Sequence, residues 1–344
     1  MEVVKKTEGL KKISFLSHSL GGLFARYAIA VLYTPHAISH QSDDLTRPTP
    51  EKIENLNFLN KGFVAGLEAI NFITLATPHL GVRGNKQMEL SIFFELRNLI
   101  HTVSASIRIP VSVIKTFNVS SIIQLPFLLG VPLLEKLAAP LAPIFTGRTG
   151  RQLFLTDGKS NRPPLLLRMT CDCADGKFIS SLGAFRCRVL YANVSYDHMV
   201  GWRTSSIRRE KELCKPPSRS LDGYKHVVDV NYCPPVLSEG PDFPPEAARA
   251  KEAAQKKPSI QNTVEYHEIM EEQMIRGLQQ VGWMKVDVSF HSAFWPFFAH
   301  NNIHVKNEWF HNAGVGVVAH VADTIRQQEE KLQNPSSSYI AASL

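Results

Sequence analysis

The stretch Ser17-His18-Ser19-Leu20-Gly21-Gly22 sets a serine where a short apolar run, Ile13 to Leu16, gives way to an amphipathic pattern. A serine hydroxyl attacks an acyl carbon only when an imidazole takes its proton, and that imidazole needs a carboxylate to fix its tautomer and stabilise its charge. The string differs by one small residue, Ser17 for glycine, from the G-x-S-x-G elbow, in which a strained strand-to-helix turn lifts the serine above a sheet edge. Gly21 and Gly22 are expected to let the following helix pass close beneath that turn. Ser19 is therefore the candidate nucleophile. The N–H of Leu20, directly after it, is the candidate oxyanion donor.

The partners must follow in the order serine, acid, histidine if this elbow belongs to an α/β-hydrolase. Asp197 lies just beyond the apolar run Arg188 to Asn193, where a turn at the carboxyl edge of a sheet would aim it at the serine. Asp222 and Asp229 sit in a variable stretch, and Asp287 falls inside a predicted strand, which makes all three poorer acids. Five histidines, His291, His300, His304, His311 and His320, come after the last predicted strand. His300 is the candidate base, because it precedes the terminal helix in a loop; His304 and His311 stand as the next loop candidates. His320 shares a helical face with Val317, Val318 and Val321 and reads as a core histidine. His18 and His79 read as residues that shape the pocket. No H-E-x-x-H spacing occurs, and neither a metal nor a cofactor is expected.

The elements that must carry these groups are legible in the apolar spacing. Leu20, Leu23, Phe24, Tyr27, Ala28 and Val31 recur at helical intervals after the elbow. Strands are expected at Ile13–Leu16, Ile70–Ala76, Arg188–Asn193 and Val286–Phe290, with a helix at Tyr266–Gln280 bearing Ile269, Met270, Ile275 and Leu278 on one face. Strands alternating with helices predict an α/β fold with a parallel sheet. A polar loop is expected at His36–Pro50, followed by a helical segment. Residues 82–150 read as an apolar cap or lid. Within it Thr116–Leu134 is long enough for a membrane span, but Pro126 and Pro132 would break a helix there. Residues 211–261, rich in proline, lysine and alanine, read as a variable insertion with a solvated helix near Glu246–Gln255. Residues 334–344 read as a disordered tail, and the single domain spans 1–333.

The phrases around these candidates resemble the serine esterase and lipase-like family of α/β-hydrolases, the DUF676 type of plants and fungi. The resemblance rests on Lys12 to Leu23, on Phe72-Ile73-Thr74-Leu75-Ala76-Thr77-Pro78-His79-Leu80-Gly81, on Val189 to Asn193 with Asp197-His198-Met199-Val200, and on Ala299-His300-Asn301-Asn302-Ile303, covering about Lys11 to Ile325. It implies Asp197 as the acid and His300 as the base. It also implies earlier strands and a His-Gly segment giving a second oxyanion donor; the sequence has a dozen residues before Ile13 and no His-Gly pair. The expectation is an α/β-hydrolase-like chain lacking its N-terminal strands.

Composition narrows the function classes. With 44% hydrophobic and 20% charged residues in 344, the chain suits one sizeable globular core. Its net charge of +7 is scattered and lacks any nucleic-acid-binding signature, so weak attraction to anionic lipid is the milder reading and no nucleic-acid partner is expected. Five cysteines cannot all pair, which favours a reducing compartment. No secretory signal opens the chain, and a cytoplasmic location, with peripheral contact to membranes, is expected. These readings converge on a serine hydrolase of carboxyl esters, its substrate an acyl lipid. The alternative is a non-catalytic hydrolase remnant serving as a lipid-binding or interaction protein, its sheet edge exposed and half of its oxyanion hole missing.

Overall fold

A computed structural model describes residues 4, 6–36, 62–82, 148–159, 162–214, 219–236 and 260–333. The expected loop at 36–50 and helical segment before residue 62, nearly all of the cap, the Glu246–Gln255 helix and the 334–344 tail lie outside the described residues.

Five strands form the central sheet: β1 (Lys12–His18), β2 (Glu68–Leu75), β3 (Cys187–Asn193), β4 (Val227–Cys233) and β5 (Trp283–Val288), in the spatial order β1-β2-β3-β5-β4. The first three and β5 run parallel, whereas β4 pairs antiparallel to β5. The fold is thus α/β with a mostly parallel sheet flanked by helices, compatible with an α/β-hydrolase. Because the four parallel strands share a direction, the loops leaving them gather at one sheet edge, where ligands bind in open α/β sheets. β4 lies within the stretch read from sequence as an insertion, and so Asp229 is a strand residue. Its outer half is exposed, which left little alternation to recognise.

Period-two alternation divides the core between two faces. Leu190, Ala192 and Trp283 face helices α1 (Leu20–Leu32), α2 (Phe178–Ala184) and α4 (Ile260–Leu278), the last presenting Ile269, Met270, Met274, Ile275 and Leu278. Val189, Tyr191, Val286 and Val288 face the terminal helix α6 (Val315–Gln333) through Val317 and Val321. Between these come the short helices α3 (Trp202–Ser206) and α5 (Ala299–Asn302). Ala69 and Phe72 both join the first face because β2 carries one residue more than β1 between the pairs Ile13–Ala69 and Phe15–Phe72. The backbone N–H of Asn71, inside this irregularity, bonds the Ser14 hydroxyl at 3.2 Å.

Among the described residues β1 pairs only with β2. Its alternation leaves Lys12, Ser14 and Leu16 facing outward, and Leu16 is 55% exposed. Phe24 and Val31 of α1 are also exposed. No described helix is long and apolar enough to cross a membrane.

Candidate active site

The elbow is built at the junction of β1 and α1. Ser19 has φ 54° and ψ −131°, a conformation that costs a non-glycine residue on the order of 1–3 kcal/mol. The surroundings hold it there: its N–H bonds the Leu75 carbonyl at 2.8 Å, and its own carbonyl accepts from the Thr77 hydroxyl at 2.9 Å and the Gly22 N–H at 3.1 Å. A Cβ on Gly22 would lie 2.2 Å from Thr77 Oγ1, so that glycine is required by the loop after β2. Among the described residues nothing lies within 4 Å of a Cβ on Gly21; contrary to the expectation from sequence, the close approach there is at Gly22 and not at Gly21. Leu20 opens α1, so its N–H belongs to the first turn and has no acceptor within the helix ladder.

Asp197 follows β3 by four residues and is buried. Its Oδ1 accepts the backbone N–H groups of Met199 at 3.0 Å and Val200 at 2.9 Å. Its Oδ2 accepts Asn193 Nδ2 at 2.8 Å and His300 Nδ1 at 3.0 Å. Burial by itself would raise the carboxyl pKa, but the charge and hydrogen bond of His300, with those of Asn193 and Val200, outweigh it and hold Asp197 below its ordinary value. A carboxylate only accepts, so Nδ1 of His300 carries a hydrogen, and in the neutral imidazole Nε2 is then the acceptor.

His300 lies in the one-turn helix α5 after β5, where a plain loop was expected, and is buried. Of the five histidines weighed from sequence, it is the one that meets a carboxylate. His291 Nδ1 meets the Tyr196 hydroxyl at 3.0 Å, and His320 Nδ1 meets the Tyr191 hydroxyl at 2.8 Å. His304 packs against His18, and His311 against Phe298. His79 is fully buried, its Nε2 3.0 Å from Thr74 Oγ1, and its carbonyl accepts the guanidinium of buried Arg26. Asp287 is occupied by Arg208 and the Trp202 indole, and Asp222 pairs with Arg219 at the surface. Among the described residues no group of three or more His, Cys, Asp or Glu is arranged to hold a metal ion.

The loops after β1, β3 and β5 thus bring Ser19, Asp197 and His300 to one sheet edge. Sequence reasoning missed what ties them: His18, whose ring lies 4.6 Å from that of His300; Asn193, a donor to the acid; and Thr77, which braces the elbow. All three stand in the phrases that carry the resemblance, but their roles depend on contacts across strands.

The α/β fold, with its mostly parallel sheet, is compatible with an α/β-hydrolase. A family model described as putative serine esterase (DUF676) matches residues 1–111 and 119–211, more than half of the chain, which therefore belongs to that family. Ser19 and Asp197 fall inside the matched residues, whereas His300 falls beyond them and is linked to the pair by its bond to Asp197. No curated protein and no solved structure matches the chain.

Proposed function

We propose that this chain hydrolyses carboxyl esters of acyl lipids through an acyl-enzyme. Ser19 Oγ attacks the ester carbonyl as His300 Nε2 takes its proton; the tetrahedral oxyanion receives the Leu20 N–H; His300 then protonates the departing alcohol. Water, deprotonated by the same imidazole, releases the acid and restores Ser19. Asp197 keeps the His300 tautomer throughout. The observation that carries this reading is the strained Ser19 at a strand–helix junction on the same sheet edge as a buried, hydrogen-bonded Asp197–His300 pair.

The lipid substrate is supported by a cavity of about 370 Å³ beside α5, lined by Phe294, Trp295, Trp309, Phe310 and Ala313 with Asn312 and with Asn302 of α5 itself. Apolar and aromatic walls with few polar groups suit an acyl chain. Phe294 and Trp309, 87% and 90% exposed, suit an ester presented at a lipid surface. The test is labelling by a fluorophosphonate, with p-nitrophenyl esters of increasing chain length as substrates. Labelling and turnover should disappear in Ser19→Ala, and longer chains should gain in kcat/KM through the cavity. Labelling that survives Ser19→Ala would defeat the assignment. The second reading, an interaction protein, is favoured by the exposed apolar side chains Leu16, Phe24 and Val31, and a folded wild-type chain without Ser19-dependent turnover would select it.

A further inference from the structure

The turn that bears the proposed base is too short to hold itself. α5 spans only Ala299–Asn302 after the single 3-10 turn Pro296–Phe298, and so short a helical stretch fixes several dihedrals for little hydrogen bonding of its own. Asp197 restrains the His300 ring, but a ring can be held while its backbone drifts. The backbone has its own anchor in His18, the last residue of β1 and the neighbour of Ser19. His18 Nε2 lies 2.9 Å from the His300 carbonyl. Since a carbonyl only accepts, Nε2 is the donor, and His18 is fixed in that tautomer.

The His18 ring also packs against two other imidazoles, those of His300 and His304. Its centroid is 3.9 Å from that of His304 and 4.6 Å from that of His300, at interplanar angles of 48° and 52°. We propose that His18 is a positioning residue: it donates Nε2–H to the His300 carbonyl and packs against His300 and His304, locking the base-bearing turn onto the nucleophile elbow. The nucleophile and base then share one rigid mount, because β1 holds Ser19 through the chain and His300 through His18. This inference rests on the esterase reading and adds a residue to its machinery.

The electrostatics agree with that role. Burial, then the neighbouring charges of His300 and His304, pushes its pKa down to about 3, so it is neutral at any working pH. A neutral neighbour is what His300 needs, since the base becomes a cation midway through each acyl transfer and a second cation 4.6 Å away would oppose it.

The test compares His18→Phe, which keeps a ring and loses the donor, with His18→Gln, whose amide N–H₂ approximates the reach of Nε2. A misplacement of reacting groups by about 1 Å costs on the order of 100-fold. His18→Phe should therefore lower kcat on p-nitrophenyl acetate by about 10- to 100-fold with KM within about twofold, and His18→Gln should recover most of the loss. A residue that merely stabilised the fold would lower the melting temperature without this split. Amide hydrogen exchange supplies a readout independent of turnover: His18→Phe should speed exchange across residues 299–304 while β2 and β3 keep wild-type protection. If the wild type shows no Ser19-dependent turnover, the esterase reading fails and exchange alone decides the role of His18. Wild-type kcat and exchange in His18→Phe would overturn the proposal, as would equal damage in His18→Gln. Should His18→Phe not fold, His18→Gln decides: near-normal kcat with a protected turn supports the clamp, and a slow enzyme with an unprotected turn overturns it.

Discussion

Replacing Asp197 by asparagine tests the site through a single atom. The two backbone donors, Met199 and Val200, hold one carboxylate oxygen at 3.0 and 2.9 Å, and they will claim the only oxygen of an amide. The amide N–H₂ must then occupy the second position, facing His300 Nδ1 and Asn193 Nδ2. Asn193 can answer by turning over, since its own Oδ1 is buried without a partner and can accept from the new amide. His300 has no such recourse: to accept from that N–H₂, its Nδ1 must give up its hydrogen, which moves to Nε2. The nitrogen that should take the Ser19 proton is then already protonated. Loss of the correct tautomer in a triad of this kind costs roughly 10⁴-fold in kcat, equivalent to about 5.4 kcal/mol of transition-state stabilisation. Stability should change less, by about 1–3 kcal/mol, because the turned Asn193 amide leaves its Nδ2 donor in the buried position where Oδ1 had no partner. The assay is kcat for p-nitrophenyl acetate at neutral pH alongside thermal unfolding followed by circular dichroism. An Asp197→Asn enzyme folded and within tenfold of wild-type turnover would refute the tautomer argument.

Gly22→Ala should force Thr77 away from the Ser19 carbonyl and destabilise the chain by about 1–3 kcal/mol, as overpacking does, whereas Gly21→Ala, whose Cβ meets nothing within 4 Å among the described residues, should unfold at or slightly above the wild-type temperature; equal melting temperatures for the two variants would contradict the packing. His320→Ala should chiefly lower the melting temperature, through loss of the Tyr191 bond, while His300→Ala should lose turnover by several orders of magnitude; an inactive but fully stable His320→Ala paired with an active His300→Ala would reverse the assignment. Acidification should destabilise the fold. His18 is held at about 3, and burial, with Arg26 and Lys285, holds His79 well below its ordinary value. Below about pH 6.5 the unfolded chain binds protons that the folded chain refuses, and stability falls with pH. Asp197, lower when folded than unfolded, contributes fully above its unfolded value and adds a second loss as pH drops through the folded one. Melting temperatures taken between pH 7 and pH 4 should decline, and a rise would refute the reasoning.

What the sequence determined by itself is local. The run from Ile13 into Leu23 carries strand, turn and helix in the order that makes an elbow, and the conformation of Ser19 bears this out. The strands β2, β3 and β5 and the helix α4 were legible because each buries residues at its own period. β4 was not, since an edge strand with an exposed outer half has no second face to bury. Only the tertiary structure sets His300 apart from the other four histidines, because the distinguishing fact is a 3.0 Å bond between residues 103 positions apart. It also decided that Asp287 serves Arg208 and Trp202, that Gly22 matters where Gly21 does not, and that His18 reaches across 282 positions to the His300 carbonyl. A side chain's type states which hydrogen bonds it can make. Which one it does make depends on what the packed strands bring within 3 Å, and only the folded chain fixes that.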